Sequence, residues 1–291
     1  MSSFARLIRF IPSGASRPLI GEPVDAALDV GLASLSSSSA IKVEVFSGSS
    51  VLNPGKKTGQ IETVQRLLSP LAMEEVGSIR CIGTNYRKHA EEVKLPMPKV
   101  PILFLKPETS LNDPAPAKVV IPKDFVKDDA ADWESELAIV IGKTCKDVPE
   151  SSALDYLLGY TAANDISSRA AQFEQSQWCY SKGFDGACPI GPALVHKDQV
   201  KDIGDLRVRG LLNGNVVQDG TLDDLIFSVP RIISFLSRGT TLRPGTVILT
   251  GTPAGVGWSM SPRTTMKDGD EFRVEISHGV GTLVSPIVAE K

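Results

Sequence analysis

Residues 132–141 read DWESELAIVI, and the reading of this stretch decides the fold. The apolar run Leu137–Ile141 behind Trp133 predicts a buried β-strand. Side chains alternate along a strand, so Glu134 and Glu136 share one face with Ala138 and Val140. An otherwise apolar face thus carries two carboxylates, and an unpaired buried carboxylate is very costly. Lysine or arginine partners, protonation, or a metal ion are the three remedies. The competing reading is a solvent-facing edge strand with both glutamates in water.

A third acid, Asp165, follows the strand-like run Gly159–Asn164. Three carboxylates, with water completing the shell, suit Mg²⁺ or Mn²⁺, which favour oxygen ligands in octahedral geometry. No Cys/His cluster lies nearby to suit zinc. If a helix begins within ANDISSRAAQFEQ, then Asp165, Arg169 and Gln172 are spaced i, i+4, i+7 on one face. A guanidinium there can hold a substrate carboxylate in a two-pronged fork. An N-capping aspartate with an arginine four residues on has the same spacing.

Three histidines occur. His196 and His278 fall in turns and read as surface residues. His89, in GTNYRKHAEEVK, is i, i+3 from Glu92 on a short helix. A glutamate beside an imidazole raises its basicity and fixes its orientation, as a general base activating water requires. A helix-surface ion pair is the plainer alternative. Further on, VILTGTPAGVG is a strand opening into a glycine-rich loop. Its Gly251, Gly255 and Gly257 do not match the dinucleotide fingerprint, and no G-K-[ST] or G-x-S-x-G occurs. The loop either turns past a small anion, offering N–H groups and Thr252, or simply ends a strand. Lys182, in WCYSKGFD, is a buried functional lysine or a loop cation.

Working outward, the 291 residues carry a net charge of -3, a balance that leaves no basic footprint for nucleic acid. No apolar stretch approaches the ~20 residues that span a bilayer. The four cysteines, Cys81, Cys145, Cys179 and Cys188, are scattered without a C-x-x-C pair, as in a reduced intracellular protein. A cytoplasmic location is expected. Arg6, Arg9 and the lack of any acid before Glu22 leave a mitochondrial address open, although FARLIRF alternates as a strand does.

Residues 1–75 hold strand-like runs (Phe4–Ile11, Pro18–Ile20, Ile41–Phe46), a serine-rich loop at Ser36–Ser39, a turn at Asn53–Gly55 and a predicted helix at Glu62–Leu68. They read as a small accessory domain without a reactive cluster. Residues 76–291 carry many short β runs separated by Gly, Pro and Asp/Asn turns, including a hairpin turning at Asn213-Gly214. Helical stretches fall only near Tyr86–Lys94, Ser167–Glu174 and Leu225–Arg238. The fold class is therefore mainly β with a few helices, an α+β arrangement.

In chain order, GTNYRKHAEE, FLKPETS, WESELAIVIG, NDISSRAAQ, SKGFD and LTGTPAGVG resemble the fumarylacetoacetate hydrolase family over roughly residues 79 to 290. The texture is closest to the branch called fumarylacetoacetate hydrolase domain-containing proteins, and the leading segment resembles that family's accessory domain. The resemblance implies a mixed β-sandwich roll, a homodimer and Mg²⁺ or Mn²⁺ held by Glu134, Glu136 and Asp165. It implies His89 and Glu92 as the water-activating dyad on a lid, and Lys182 as a cation for a developing enolate or a carboxylate. Arg169, Gln172, Thr252 and Gly251 would contact substrate. FLKPETS departs from the more usual lysine-proline-serine wording at Glu108 and Thr109, at an edge of the pocket that bears on substrate preference. The implied substrate is a small enolisable 2-oxo acid that the ion chelates and stabilises as an enolate. Acylpyruvate-type C–C hydrolysis leads. Oxaloacetate tautomerisation or decarboxylation is the alternative, and a non-catalytic ligand-binding protein on the same fold is the third reading.

Overall fold

The computed structural model describes residues 4–36 and 40–291, so most of the predicted loop at Ser36–Ser39 lies outside the described residues. Two large sheets make up the molecule. The larger runs in the order Leu19–Pro23, Lys42–Phe46, Lys57–Leu68, Arg6–Pro12, Cys188–His196, Leu157–Asn164, Ser135–Ile141, Val247–Leu249, Ile79–Gly83 and Ile102–Lys106. Leu111–Asn112 pairs with Cys188–His196 beside this path. The second sheet runs Asn215–Thr221, Arg207–Leu212, Glu271–Ile276, Gly281–Ala289 and Val119–Ile121. Few helices interrupt, and the main one, Val229–Ser237, starts where Ser228 accepts the Arg231 N–H. No described helix is long and apolar enough to cross a membrane.

The strand Ser135–Ile141 lies deep in the larger sheet, and every residue in it is buried. Leu137, Ile139 and Ile141 pack with Val208, Phe272, Val274 and Leu283 of the second sheet. Ala138 and Val140 face Cys81, Phe104, Cys188 and Leu249 on the other side. Both faces are covered, hence the unbroken apolar run. Burying each of the larger side chains contributes roughly 1.5–3 kcal/mol, so this strand is a fixed frame for the glutamates at its leading end. Trp133 stacks on Phe272 with ring centroids 5.4 Å apart and anchors that end.

The N-terminal strands continue the larger sheet through Arg6–Pro12, which pairs with Cys188–His196 at Arg6↔Val195 and Leu7↔Leu194. Their own core gathers Ile8, Phe10, Val43, Val45 and Leu67 against Val30 and Ala193. One expectation is corrected here: Glu62–Leu68 is not a helix but the end of the twelve-residue strand Lys57–Leu68. It pairs with Lys42–Phe46 on one side and Arg6–Pro12 on the other, so ladder hydrogen bonds outweigh the segment's helical composition. The hairpin turn falls where expected, with Asn213 at φ +50° and Gly214 at φ +81° between paired Leu212 and Asn215. All four cysteines are free.

His196 also departs from its reading as a surface residue. It ends a strand, stands edge-on to Phe4 at 5.2 Å, and burial lowers its pKa. His278 is exposed in its turn.

Candidate active site

The parity of DWESELAIVI holds in space. Glu134 and Glu136 lie on the same face as Ala138 and Val140, and Glu136 is 1% exposed. Asp165 reaches them from the loop after Leu157–Asn164, where its N–H donates to the Glu134 carbonyl at 2.9 Å. One carboxylate oxygen from each of the three residues lies within 4.8 Å of the others. That spacing and an all-oxygen donor set fit a hard divalent cation.

Two of the three acids also have cationic partners. Lys182 Nζ donates to Asp165 Oδ2 at 2.9 Å and the Ser167 hydroxyl at 2.6 Å, and lies 3.0 Å from Glu134 Oε2. Arg169 Nη1 lies 2.6 Å from Glu134 Oε1. Lys106, fully buried, donates to Asp165 Oδ1 at 2.5 Å and to the Ala187 carbonyl at 3.0 Å. Burial by itself would lift the Glu134 pKa, but Lys182 and Arg169 outweigh it and hold the group at about 2. Glu136 has no cation at hydrogen-bond distance among the described residues; the Gly251 N–H donates to its Oε2 at 2.6 Å. Burial, then Asp165 and Glu134, push its pKa well up. Four buried carboxylates, counting Asp132, thus face three buried cations, Lys106, Lys182 and Arg169. The carboxylate in surplus, left without a cation, is Glu136, and this is the observation that fits a dication to the cluster. Of the three remedies, lysine and arginine partners supply most of the compensation, through Lys106, Lys182 and Arg169.

Arg169 does not share a helix with Asp165 as the spacing suggested. Ser167–Ser168 pairs with Ala131–Asp132, and the helix starts only at Arg169. Gln172 nevertheless accepts from Arg169 Nη1 at 2.9 Å, and Asp132 accepts from Nε at 2.8 Å. Nη2 is buried with no acceptor.

His89 and Glu92 meet on the helix Arg87–Glu92, with Nδ1 2.9 Å from Oε2. The other oxygen of Glu92 accepts the Gly255 N–H at 2.8 Å, which pins this helix to the glycine loop. The loop's N–H groups, which the sequence left either facing a small anion or merely ending a strand, go largely to the protein's own carboxylates: Gly251 to Glu136, Gly255 to Glu92, Gly257 and Trp258 to Asp132. Gly251, at φ +103°, leaves no space for a side chain, because a Cβ would come within 2.7 Å of the Asn85 Cβ. The Thr252 hydroxyl donates to the Ser135 carbonyl and accepts from Gln218, so it braces the loop at the pocket's edge. A cavity of about 460 Å³ is bordered by His89, Glu92, Glu134, Glu136, Arg169, Gln172, Lys182 and Thr252, and so brings together all the predicted residues except Asp165 and Gly251, which do not line it.

Three residues escaped the sequence reading. Lys106 had a signal in ILFLK, where it shares the inward parity of buried Phe104. Asp132 carries the same parity as Glu134 and Glu136 and bonds both Arg169 and the glycine loop. Thr84, at φ +52°, borders the cavity in a backbone region costly for a β-branched residue, and no local sequence signal announced it.

The profile of a family described as fumarylacetoacetate (FAA) hydrolase C-terminal matches residues 78–288. The caffeoylpyruvate hydrolase of Neonothopanus nambi is 44% identical, over 100% of this chain and 95% of that protein. The mitochondrial oxaloacetate tautomerase fahd2 of Xenopus laevis is 37% identical, over 97% and 90%. Among solved structures, 5-carboxymethyl-2-hydroxymuconate delta-isomerase from Mycobacterium smegmatis superposes with a TM-score of 0.79 at 31% identity, covering 98% of this chain and 100% of that one.

Proposed function

Because the chain belongs to the fumarylacetoacetate hydrolase family, we propose that it is a divalent-metal-dependent enzyme of enolisable 2-oxo acids whose leading reaction is acylpyruvate C–C hydrolysis. The observation that carries this reading is the His89–Glu92 pair, pinned to Gly255 at a cavity that also borders Glu134 and Glu136. Glu134, Glu136 and Asp165 would hold Mg²⁺ or Mn²⁺, which supplies Lewis acidity toward the oxygen where negative charge develops.

The chain's own residues do the rest. Arg169 Nη2, a buried donor without an acceptor, receives the substrate carboxylate, and Gln172 and Asp132 fix the guanidinium's plane. Lys182 adds positive charge beside the same acids. With Glu92 on Nδ1, the His89 Nε2 is left to take a proton from water. That water adds to the C4 carbonyl of the acylpyruvate and the C3–C4 bond breaks, its electron pair passing to the pyruvate enolate. Protonation at C3 yields pyruvate, and the acyl group leaves as a carboxylic acid.

Keto–enol tautomerisation of oxaloacetate is the second reading, supported by the name of the Xenopus relative; decarboxylation of oxaloacetate passes through the same enolate. In tautomerisation His89 moves a proton between C3 and oxygen without adding water. A scaffold without turnover is the third. Acylpyruvates and oxaloacetate, each with Mg²⁺ and with chelator, distinguish them by loss of the enol absorbance and by product analysis. Pyruvate plus a carboxylic acid, formed only with the ion, is expected. Isomerised oxaloacetate without cleavage of any acylpyruvate would favour the second reading, and no metal-dependent turnover the third.

The two sheets are read in the same proposal as the family's mixed β-sandwich roll, with residues 1–75 as an accessory domain that supplies none of the site residues. The chain is further read as a homodimer, supported by the sheet-ending strand Ile102–Lys106 with Leu103 and Leu105 exposed on it. A sedimentation mass of one chain, 31.1 kDa, would count against that assembly.

A further inference from the structure

Acylpyruvate hydrolysis leaves the acyl group undefined, and the cavity has walls that bear on it. At about 460 Å³ it falls in the range that holds drug-sized ligands, more than a short oxo acid fills. Beside Glu134, Glu136, Arg169 and Lys182, its lining includes the aromatic side chains of Phe104, Phe173, Trp178 and Trp258.

Trp178 is one fixed part. Its indole stands edge-on to Phe104, with centroids 5.5 Å apart at 72°. It also fills the space beside Gly83, where an added Cβ would come within 2.2 Å of Cζ3. A side chain at residue 83 would drive the ring out of this position, so the glycine is what lets the indole lie here. A second aromatic pair also borders the cavity: Phe173, 69% exposed, tilts against Trp258 at 5.8 Å and 34°. The other interactions of these rings hold them as a surface: Arg263 stacks 3.4 Å from the Trp258 ring centroid, and Lys182 lies 5.1 Å from that of Phe104. A largely exposed phenylalanine bordering a cavity gains cover when an apolar group enters beside it.

We propose that Trp178, Phe104, Phe173 and Trp258 form a subsite for a planar aromatic acyl group, so that the chain prefers an arylacylpyruvate to a short-chain acylpyruvate. Trp178 and Phe173 are then specificity-determining residues. This inference rests on the hydrolase reading above. Aromatic rings favour one another in offset or edge-to-face contact, a preference that an alkyl chain does not share.

The test compares kcat/KM for benzoylpyruvate and acetylpyruvate on the full chain with saturating Mg²⁺. A benzoyl-to-acetyl ratio of about 10 or more is expected, falling about fivefold in Phe173→Ala and further in Trp178→Leu, chiefly through KM for benzoylpyruvate. Phe173 is exposed, so its variant keeps the test valid if Trp178→Leu fails to fold. A wild-type ratio at or below one, or one unmoved by Phe173→Ala, would overturn the subsite. If neither compound is cleaved, the hydrolase reading fails, and calorimetric binding of 2-oxo-4-phenylbutanoate against 2-oxopentanoate still decides the subsite. Tighter binding of the phenyl compound, weakened in Phe173→Ala, upholds it; equal binding overturns it.

Discussion

Replacing His89 with alanine is expected to slow acylpyruvate hydrolysis by about 10³-fold, within the range that a positioned general base contributes, while divalent-ion affinity stays within about twofold. The two effects separate because His89 sits on the helix Arg87–Glu92, whereas the acids come from the sheet and the loop after it. No atom of His89 belongs to the acid cluster. Glu92→Gln is expected to fall between wild type and His89→Ala. An amide still offers an oxygen to one partner, but it accepts a weaker hydrogen bond than a carboxylate does, so the ring is held less firmly. Stopped-flow hydrolysis and calorimetric Mg²⁺ binding measure the two quantities. Hydrolysis that survives in His89→Ala removes the dyad from the mechanism; if tautomerisation of oxaloacetate alone persists, the proton-transfer reading gains.

What could be read from the sequence was what strand periodicity encodes. Glu134 and Glu136 differ by two positions in an apolar run, and a buried strand has only one way to place them. The same rule covers Asp132 and Lys106, each buried at inward parity in its own segment, although a lone strand lysine carries no pairing signal like that of two glutamates. Loop geometry was less legible. The spacing of Asp165 and Arg169 predicts one helix face, but the two paired residues Ser167–Ser168 intervene and the helix starts only at Arg169. Of the i, i+4, i+7 spacing, only the i, i+3 contact between Arg169 and Gln172 is present in the fold. The destination of the glycine loop's N–H groups could not be read at all. It depends on Glu92, Asp132 and Glu136, which lie more than a hundred residues away in the chain. For the segment Glu62–Leu68, helical composition misled because pairing on both flanks decides strand formation there.

Glutamine at residue 134 and glutamine at residue 136 are each expected to abolish ion binding, yet to move the stability of the metal-free protein in opposite directions. Glu134 is the paired acid, with Lys182 and Arg169 on its two oxygens. Removing its charge leaves two buried cations undercompensated, a change that costs roughly 3 kcal/mol when a buried pair loses one partner. Its folded pKa of about 2 lies below the usual 4.5, so its stabilisation is present above pH 4.5 and is lost as the pH falls toward 2. Glu136 is the opposite case. Burial and its two acidic neighbours raise its pKa, so the folded metal-free protein holds the proton more tightly than the unfolded chain. Stability contributed by this group therefore falls as the pH climbs from the ordinary glutamate range toward the raised value. Glu136→Gln removes that fall and keeps an amide oxygen for the Gly251 N–H, so this variant is expected to be more stable than wild type at neutral pH when both are metal-free. Denaturant titrations of chelated protein at several pH values, with Mg²⁺ calorimetry alongside, give both readouts. If Glu136→Gln destabilises as much as Glu134→Gln, the surplus charge has been placed on the wrong carboxylate; if either variant keeps wild-type ion affinity, the cluster is not the metal site.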